Sequence, residues 1–329
     1  MTTHYSSSSP LRVSFLGGGS DFKNMIEIKD RIIFGMAINY FININAYKMP
    51  DLYPERTRIQ YSKVEEVDNI DDIEHNAIRE ILKYKKINGI NLSIASDMPS
   101  GSGLGSSSSF TCGMLNILAR TKGQSYTAME LANDAIHIEQ EILKEKVGIQ
   151  DQILCATGGL KLIKLHKNGY SDISYLLNYK ELLASINKSS FLIFTGKLRQ
   201  SSTVQKNIES MPEKNKIVES ISEIADFFYK ESSKTKDQFG LLKNCLKETW
   251  ENKKLISRMD DNNEFLNLID KITNLGCSHF KLLGAGGGGF IYCLVDSNIK
   301  EKFVSSFSIN QIFQINASSN GSISYKIEV

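Results

Sequence analysis

Residues 99–109 read PSGSGLGSSSS, a short segment in which three glycines are followed by four serines. The preceding residues 90–95 alternate between apolar and polar side chains, as in a strand, and residues 110–120 have the apolar spacing of a helix. A glycine loop between a strand and a helix directs unpaired backbone N–H groups and the positive end of the helix dipole toward one point. The segment therefore predicts a phosphate-binding loop.

A flexible Gly/Ser linker is the other interpretation of this composition. The context disfavours it, because the segment joins an apolar strand to an apolar helix and has Leu104 at its centre. A Walker loop would need a lysine at its end, and no lysine lies between Met98 and Lys122. A dinucleotide-binding fingerprint would need its third glycine at position 106, which is Ser106.

Composition limits the class of protein. A chain of 329 residues favours two packed domains. Charged residues make up 23% of the chain with a formal net charge of only +2 and no basic stripe, which argues against a nucleic-acid partner. The N-terminal residues have no signal-like apolar region, and five cysteines without zinc-site spacing read as free thiols, so we expect a cytoplasmic protein without a membrane partner.

Strand and helix patterns alternate through the first half of the chain. Beyond residue 191 one strand precedes three helical stretches, at about 203–232, 237–257 and 262–275, and four strands follow them. Polar residues interrupt the pattern at 185–189. We therefore predict an α/β (α+β) protein with an N-terminal domain at residues 1–187 and a C-terminal domain at residues 188–329.

Two further glycine clusters flank the central one. Residues 10–22, PLRVSFLGGGSDF, read as a strand followed by three glycines, for which a hairpin turn is the alternative interpretation. Residues 282–295 read LLGAGGGGFIYCLV and satisfy the dinucleotide spacing. A strand pattern follows this third cluster where a dinucleotide site needs a helix, so a hairpin loop beside an active site fits better.

The three clusters, in this order, resemble the three motifs of the GHMP kinases, and the resemblance spans nearly the whole chain. Six residues match the central motif, and Ser108 and Ser109 replace its two usual alanines: Pro99, Gly103, Leu104, Gly105, Ser106 and Ser107. The N-terminal PLR and GGGSD segments are most similar to the D-glycero-D-manno-heptose 7-phosphate kinase branch. The resemblance implies an N-terminal nucleotide-binding domain, a ferredoxin-like C-terminal domain, a site in the cleft between them, and the use of ATP and Mg²⁺.

The resemblance also implies which residues face each substrate. Those expected to bind ATP lie in the central loop and the helix start: Pro99, Gly101, Ser102, Gly103, Leu104, Gly105, Ser106, Ser107 and Ser108. Those expected at the acceptor lie in the outer clusters and in the segment 195–202: Gly17, Gly18, Gly19, Ser20, Asp21, Arg199, Gly286, Gly287 and Gly288. An exposed surface arginine is the alternative interpretation of Arg199.

Two carboxylates are candidates for phosphoryl-transfer chemistry. Glu139 lies at the border of an apolar stripe on a helix predicted from Thr127 to about Lys146, and a solvated face is its alternative interpretation. Asp151 lies in a polar break before an apolar run, where a helix cap is the alternative. Their separation of twelve residues matches galactokinase-like members of the family. The resemblance therefore implies that Glu139 and Ser107 bind Mg²⁺ and that Asp151 is the base.

Arg12 is a further catalytic candidate. The resemblance places it either at the reacting hydroxyl or, with Arg199, at a phosphate of the acceptor.

The implied reaction is ATP-dependent phosphorylation of the anomeric hydroxyl of a heptose 7-phosphate to the 1,7-bisphosphate, for synthesis of nucleotide-activated heptose. Two alternatives stay open. One is an L-fucose kinase or another sugar-1-kinase, and the other is a non-catalytic sugar or nucleotide sensor on the same fold. In each case the partners are small molecules.

Overall fold

The structure, a computed structural model, describes residues 3–49, 52, 56–169, 171–174, 176, 178–198, 213–257, 263–284 and 286–328. The strands of its larger sheet are β1 (Thr3–Leu16), β2 (Arg31–Lys48), β3 (Thr57–Gln60), β4 (Val64–Val67), β5 (Ile90–Ser96), β6 (Leu160–Leu165), β7 (Ser171–Ser174) and β12 (Ile323–Glu328). The main path runs β12-β1-β2-β5-β3-β4, while β6 pairs with both β2 and β7. Strands β3 and β5 are parallel, and the other pairs of this sheet are antiparallel.

Six helices belong to the first half of the described chain: α1 (Lys23–Ile26), α2 (Asn76–Lys85), α3 (Ser106–Thr121), α4 (Ala128–His137), α5 (Gln150–Thr157) and α6 (Tyr179–Ser189). Helix α3 begins directly after the central glycine loop and packs against β1, β2, α4 and α5. Its residues 111–119 are buried throughout, which is the pattern of a central core helix rather than of a surface helix. The packing of α3 therefore fixes where the glycine loop lies.

The smaller sheet has the order β11-β8-β10-β9 and is antiparallel. Its strands are β8 (Ser190–Phe194), β9 (Phe280–Leu282), β10 (Phe290–Leu294) and β11 (Ile312–Gln314). The helices of this half are α7 (Lys214–Ser232), α8 (Gln238–Ser257), α9 (Asn263–Asn274) and α10 (Lys300–Ser305).

Aromatic contacts join the two halves across one continuous core. Phe34 of β2 stacks on Phe228 of α7 with ring centroids 4.8 Å apart. Phe15 of β1 contacts Tyr292 of β10 at 5.1 Å. A second core, which includes Trp250 and Phe265, lies between the smaller sheet and its own helices. The two sheets are thus packed against each other near the end of β1.

The α/β class with two sheets and the late helical stretches is confirmed within the described ranges. The boundary at residues 187 and 188 stays a prediction, and β12 pairs with β1, so the last strand of the chain completes the first sheet. The first predicted helical stretch, 203–232, begins outside the described residues, because residues 203–212 are not among them.

The predicted helix from Thr127 to about Lys146 is wrong at its C-terminal end. Helix α4 ends at His137 and a π-helical turn, Ile138–Ile142, follows it. Lys144 then has a φ of 56°, which a continuing right-handed helix does not allow. The wider turn carries Glu139, and π-helical turns occur frequently at functional sites.

Two other expectations concern the cysteines and helices that could span a membrane. All five cysteines are free and buried. Within the described ranges, no helix combines the length and the apolar character that a membrane span requires.

Candidate active site

The three glycine clusters meet at the junction of the two sheets. The backbone N–H of Arg12, in β1, donates to the carbonyl oxygen of Leu104 at 2.9 Å. The third cluster lies against the same central loop, because a Cβ atom at Gly289 would be 2.3 Å from the carbonyl oxygen of Ser102. The side chain of Leu104 is fully buried and anchors the central loop to the core. The clusters are therefore neighbours in space although the first and the third lie near opposite ends of the chain.

Arg12 and Asp151 form a bidentate ion pair at this junction. Nε of Arg12 donates to Oδ1 of Asp151 at 2.6 Å, Nη2 donates to Oδ2, and Nη1 donates to the carbonyl oxygen of Gly103 at 2.6 Å. Burial alone would lower the pKa of Arg12, but the charge and hydrogen bonds of Asp151 outweigh it and hold that pKa above its ordinary value. The Asp151 side chain keeps 24% of its surface exposed and that of Arg12 only 7%, so the carboxylate is the more accessible member of the pair.

The first glycine loop, Gly17–Gly19, is tied to helix α5 by Asp21. Its carboxylate accepts hydrogen bonds from the backbone N–H of Gly19 at 3.0 Å and from both the backbone N–H and the Nε2 of Gln150 at 3.1 Å. Burial, and then the nearby charge of Asp151, raise the pKa of Asp21 to about 6. Ser20 donates its hydroxyl to the carbonyl oxygen of Gly17 at 2.8 Å. Asp21 and Ser20 therefore shape the loop, and Asp151 is the more exposed of the two carboxylates.

Glu139, which its spacing places at the border of the apolar stripe, is fully buried, so the alternative interpretation as part of a solvated helix face is wrong. Its Oε2 accepts hydrogen bonds from Ser108 at 2.9 Å and from Nε2 of Gln152 at 2.6 Å. Its Oε1 is also buried and has no partner among the residues that the structure describes. Burial, and then the charge of Glu145, raise the pKa of Glu139 to about 8, against the hydrogen bonds that lower it.

The serines around the central loop have different environments. The hydroxyls of Ser102 and Ser106 are buried and lack a hydrogen-bond partner within the described ranges. Ser107 is exposed, and Ser108 is buried against Glu139. Buried hydroxyls that no protein group satisfies are suited to an incoming ligand such as a phosphate oxygen.

The residues present fit a magnesium ion. The unpartnered Oε1 of Glu139 is a hard oxygen donor beside the serine-rich start of α3, the ligand type that Mg²⁺ prefers. In the described part of the chain, no three or more His, Cys, Asp and Glu side chains form a metal site by themselves. Mg²⁺ normally completes its shell with phosphate oxygens and water, so one protein carboxylate is compatible with its binding.

The structure thus brings most of the predicted site residues together. Asp151, Arg12, the central loop and the first cluster are in direct or nearly direct contact. Gly286, Gly287 and Gly288 belong to the third cluster, whose end contacts Ser102. Arg199 lies outside the described residues.

Two residues that the sequence analysis missed organise this site. Gln150 binds Asp21, and Gln152 binds Glu139, on the two sides of Asp151. The sequence signal for these two residues was the triplet QDQ at positions 150–152, because three polar residues open an otherwise apolar helix. Helix α5 thereby holds all three acidic groups in register.

Gly105 allows Arg12 to approach the central glycine loop. It has a φ of +74°, and a Cβ atom there would lie 2.8 Å from Cγ and 3.1 Å from Nε of Arg12. We predict that Gly105→Ala displaces the guanidinium from Asp151 and lowers kcat by about 10²-fold, the scale of a misplaced catalytic geometry. Steady-state kinetics with ATP and an accepted acceptor measure this loss.

Gly123→Ala is the matched control for Gly105→Ala. Gly123 has a φ of +72° but no atom within 4 Å of its ideal Cβ position. Both variants pay the same backbone cost of about 1 kcal/mol, which urea unfolding measures. Equal kcat values for the two variants would show that the contact with Arg12 has no functional consequence.

The raised pKa of Glu139 predicts a pH-dependent requirement for magnesium. Below pH 8 the metal must displace a proton from this carboxyl, so the Mg²⁺ concentration for half-maximal rate should fall about tenfold per unit as pH rises toward 8. Glu139→Gln should show a higher requirement without this slope. The control is Glu141→Gln, in the same turn but about half exposed, which should behave like the wild type.

Unfolding without metal tests the same pKa independently. The folded pKa of about 8 lies above the usual 4.5, so the folded state holds the proton more tightly and loses stability as pH rises between these values. Relative to Glu139→Gln, the wild type should therefore become less stable from pH 5 to pH 8. If the unfolding free energies of the two proteins changed with pH in the same way, Glu139 would not be buried as a neutral acid.

Two family models match the chain in the order of its two halves. The model described as GHMP kinases N terminal domain matches residues 73–159, and the model described as GHMP kinases C terminal matches residues 235–310. The first match contains the central glycine loop, Glu139 and Asp151, and the second contains the third glycine cluster.

Two relatives are similar to the chain over 92% and 65% of its length. The D-glycero-alpha-D-manno-heptose 7-phosphate kinase of Campylobacter jejuni is 25% identical over 313 residues, 92% of this chain and 92% of that protein. The bifunctional fucokinase/GDP-fucose pyrophosphorylase of Arabidopsis thaliana is 25% identical over 232 residues, 65% of this chain and 21% of that protein.

A solved structure shares the fold. A D-glycero-D-manno-heptose 1-phosphate kinase from Bacteriodes thetaiotaomicron superimposes with a TM-score of 0.77 at 22% identity, and the match covers 99% of this chain and 100% of that one. Both domain models and this fold agree with the two-sheet architecture described above. The chain therefore belongs to the GHMP kinase family and is an ATP-dependent kinase.

Proposed function

We propose that the protein transfers the γ-phosphoryl group of ATP to the anomeric hydroxyl of D-glycero-D-manno-heptose 7-phosphate, giving the 1,7-bisphosphate. The observation that carries the proposal is the Arg12–Asp151 pair, which connects the nucleotide loop at Gly103 with the helix that holds the first glycine loop. The choice of a heptose phosphate is supported by the relatives whose names contain that sugar and by the PLR and GGGSD segments.

Asp151 is the proposed group that acts on the acceptor hydroxyl. Arg12 binds both of its carboxylate oxygens and fixes their orientation, and each oxygen keeps a lone pair for a further donor. The acceptor hydroxyl donates to one of these lone pairs and passes its proton to Asp151 as its oxygen bonds to the γ-phosphorus, while the bond from that phosphorus to the β–γ bridging oxygen breaks and ADP leaves. Phosphoryl transfer requires mainly such positioning and the stabilisation of charge.

The start of α3 is the proposed ATP-phosphate site. The first N–H groups of a helix have no partner within the helix, and Ser106 adds an unpartnered hydroxyl beside them. When bound, Mg²⁺ supplies neutralisation of the phosphate charge. Glu139 would hold it through Oε1, and the exposed Ser107 remains the proposed second ligand.

The acceptor phosphate needs a cation, because a buried dianion without a partner is costly. Arg12 is already engaged with Asp151 and Gly103, which favours its placement at the reacting hydroxyl over the acceptor phosphate. Arg199 stays the proposed phosphate partner, and it lies outside the described residues.

A panel of acceptors tests the proposal. ADP release would be measured with the heptose 7-phosphate, the unphosphorylated heptose, L-fucose and galactose, and the product identified by phosphorus NMR. We expect kcat/KM for the heptose 7-phosphate to exceed that for each free sugar by about 10²-fold or more, because the charged partner of the phosphate is otherwise left unpaired. The new phosphate should be on the anomeric oxygen.

Asp151→Asn is the variant that tests the mechanism in the same assay. It should lower kcat by about 10²- to 10⁴-fold with little change in ATP affinity. Asp172→Asn, at an exposed carboxylate of β7, is the control. A higher kcat/KM for L-fucose would contradict the acceptor assignment, and an unchanged kcat for Asp151→Asn would contradict the role of Asp151.

A further inference from the structure

Lys281 is a buried lysine that the mechanism above does not use. It lies in β9 between Phe280 and Leu282, and 3% of its surface is exposed. Its Nζ donates a hydrogen bond of 2.9 Å to the carbonyl oxygen of Phe15, in β1 of the other sheet. Lysine is almost never fully buried without a partner for its charge, so this placement needs a physical reason.

The partner of Lys281 is a carbonyl group at a β-bulge. In the β1–β2 ladder, Ser14 pairs with Gly35 and Leu16 pairs with Phe34, which leaves Phe15 as the extra residue. A bulge interrupts the ladder, and a buried carbonyl without a donor is costly. Lys281 supplies the donor from the second sheet.

This bulge lies between Arg12 and the first glycine loop. Phe15 follows Arg12 by three residues and precedes the first glycine loop by two. Tyr292, the register neighbour of Lys281 in β10, packs its ring 5.1 Å from the ring of Phe15. The second sheet therefore holds both the side chain and the carbonyl of the bulged residue.

Among the residues that the structure describes, no acidic side chain is paired with the ammonium group of Lys281. Arg12, in β1, has the same sign, and Asp151 is already paired with Arg12. The hydroxyl of Tyr292, in β10, is hydrogen-bonded to Ser190 of β8. Burial, and then the charge of Arg12, lower the pKa of Lys281 to about 7.

We propose that Lys281 is a positioning residue for phosphoryl transfer, which holds the bulge of β1, and through it Arg12 and the first glycine loop, against β9. Lys281 acts through the main chain of β1 and does not touch either substrate. The protonated amine holds the carbonyl more strongly than the neutral amine, because a charge-assisted hydrogen bond is the stronger one. We therefore expect kcat/KM for the acceptor to fall as Lys281 loses its proton.

Lys281→Met and Lys281→Gln test the proposal. Methionine removes the donor, while glutamine keeps a neutral donor. With any acceptor that the wild type phosphorylates, kcat/KM for that acceptor should fall about 10- to 100-fold in Lys281→Met and less in Lys281→Gln, the size expected for a displaced site geometry. The dissociation constant of ATP should stay within about twofold of the wild type, because the central loop is held separately by Leu104.

The pH profile separates positioning from a purely structural role. Acceptor kcat/KM of the wild type should decrease as pH rises through about 7, and both variants should lack this step. Lys300→Met is the control, since Lys300 also donates to a backbone carbonyl, that of Lys188 at 3.0 Å, but lies in α10 near the surface. It should keep the activity and the pH step of the wild type.

Unfolding against pH gives a readout without turnover. The folded pKa of about 7 lies below the ordinary 10.5, so the unfolded chain binds more protons between these values and wild-type stability should rise with pH relative to Lys281→Gln. Acceptor kcat/KM within twofold of the wild type in both variants, or a pH step that persists in them, would overturn the proposal. Because any accepted sugar serves, failure of the heptose assignment would leave this test intact.

Discussion

The site depends on one buried ion pair, that between Arg12 and Asp151. A guanidinium group removed from water is costly unless an anion and good hydrogen bonds compensate for it. Asp151 supplies the anion in bidentate geometry, and the carbonyl oxygen of Gly103 accepts from the remaining amino group. This requirement brings β1, the central glycine loop and α5 to one place, and it leaves no room for a side chain at position 105.

Helix α5 connects this ion pair to the rest of the site. Gln150, Asp151 and Gln152 open the helix, and each binds a different partner: Asp21, Arg12 and Glu139. Because the three residues share one rigid turn, the first glycine loop, the proposed base and the proposed metal ligand cannot move independently. A kinase needs this property, since it has to hold two substrates and a metal in fixed relation to each other.

Much of this could be predicted from local sequence, because glycine loops and apolar periodicity are local signals. The three clusters were accessible in that way, and they carry the resemblance to the family, which is confirmed. The roles of Glu139 and Asp151 followed only from that resemblance and stay predictions. The π-helical turn was not accessible from local sequence, because the apolar stripe continues through residues 138–142 and only tertiary packing buries Glu139. Lys281 lies on a strand of the smaller sheet, and its burial depends on the approach of the larger sheet, where it contacts the carbonyl oxygen of Phe15, so no local pattern reveals it. The pairing of β12 with β1 and of Arg12 with Asp151 joins residues too distant in sequence for any local pattern to reveal.

A double-mutant cycle on the ion pair tests the account most directly. Single-turnover rates of phosphoryl transfer would be measured for the wild type, Arg12→Gln, Asp151→Asn and the double variant. If the two side chains act as one unit, the double variant should be no slower than the slower single variant, as for other catalytic groups that work together. Effects that multiply, so that the double variant loses the product of both single losses, would show that Arg12 and Asp151 act independently and would contradict the central role of their pair.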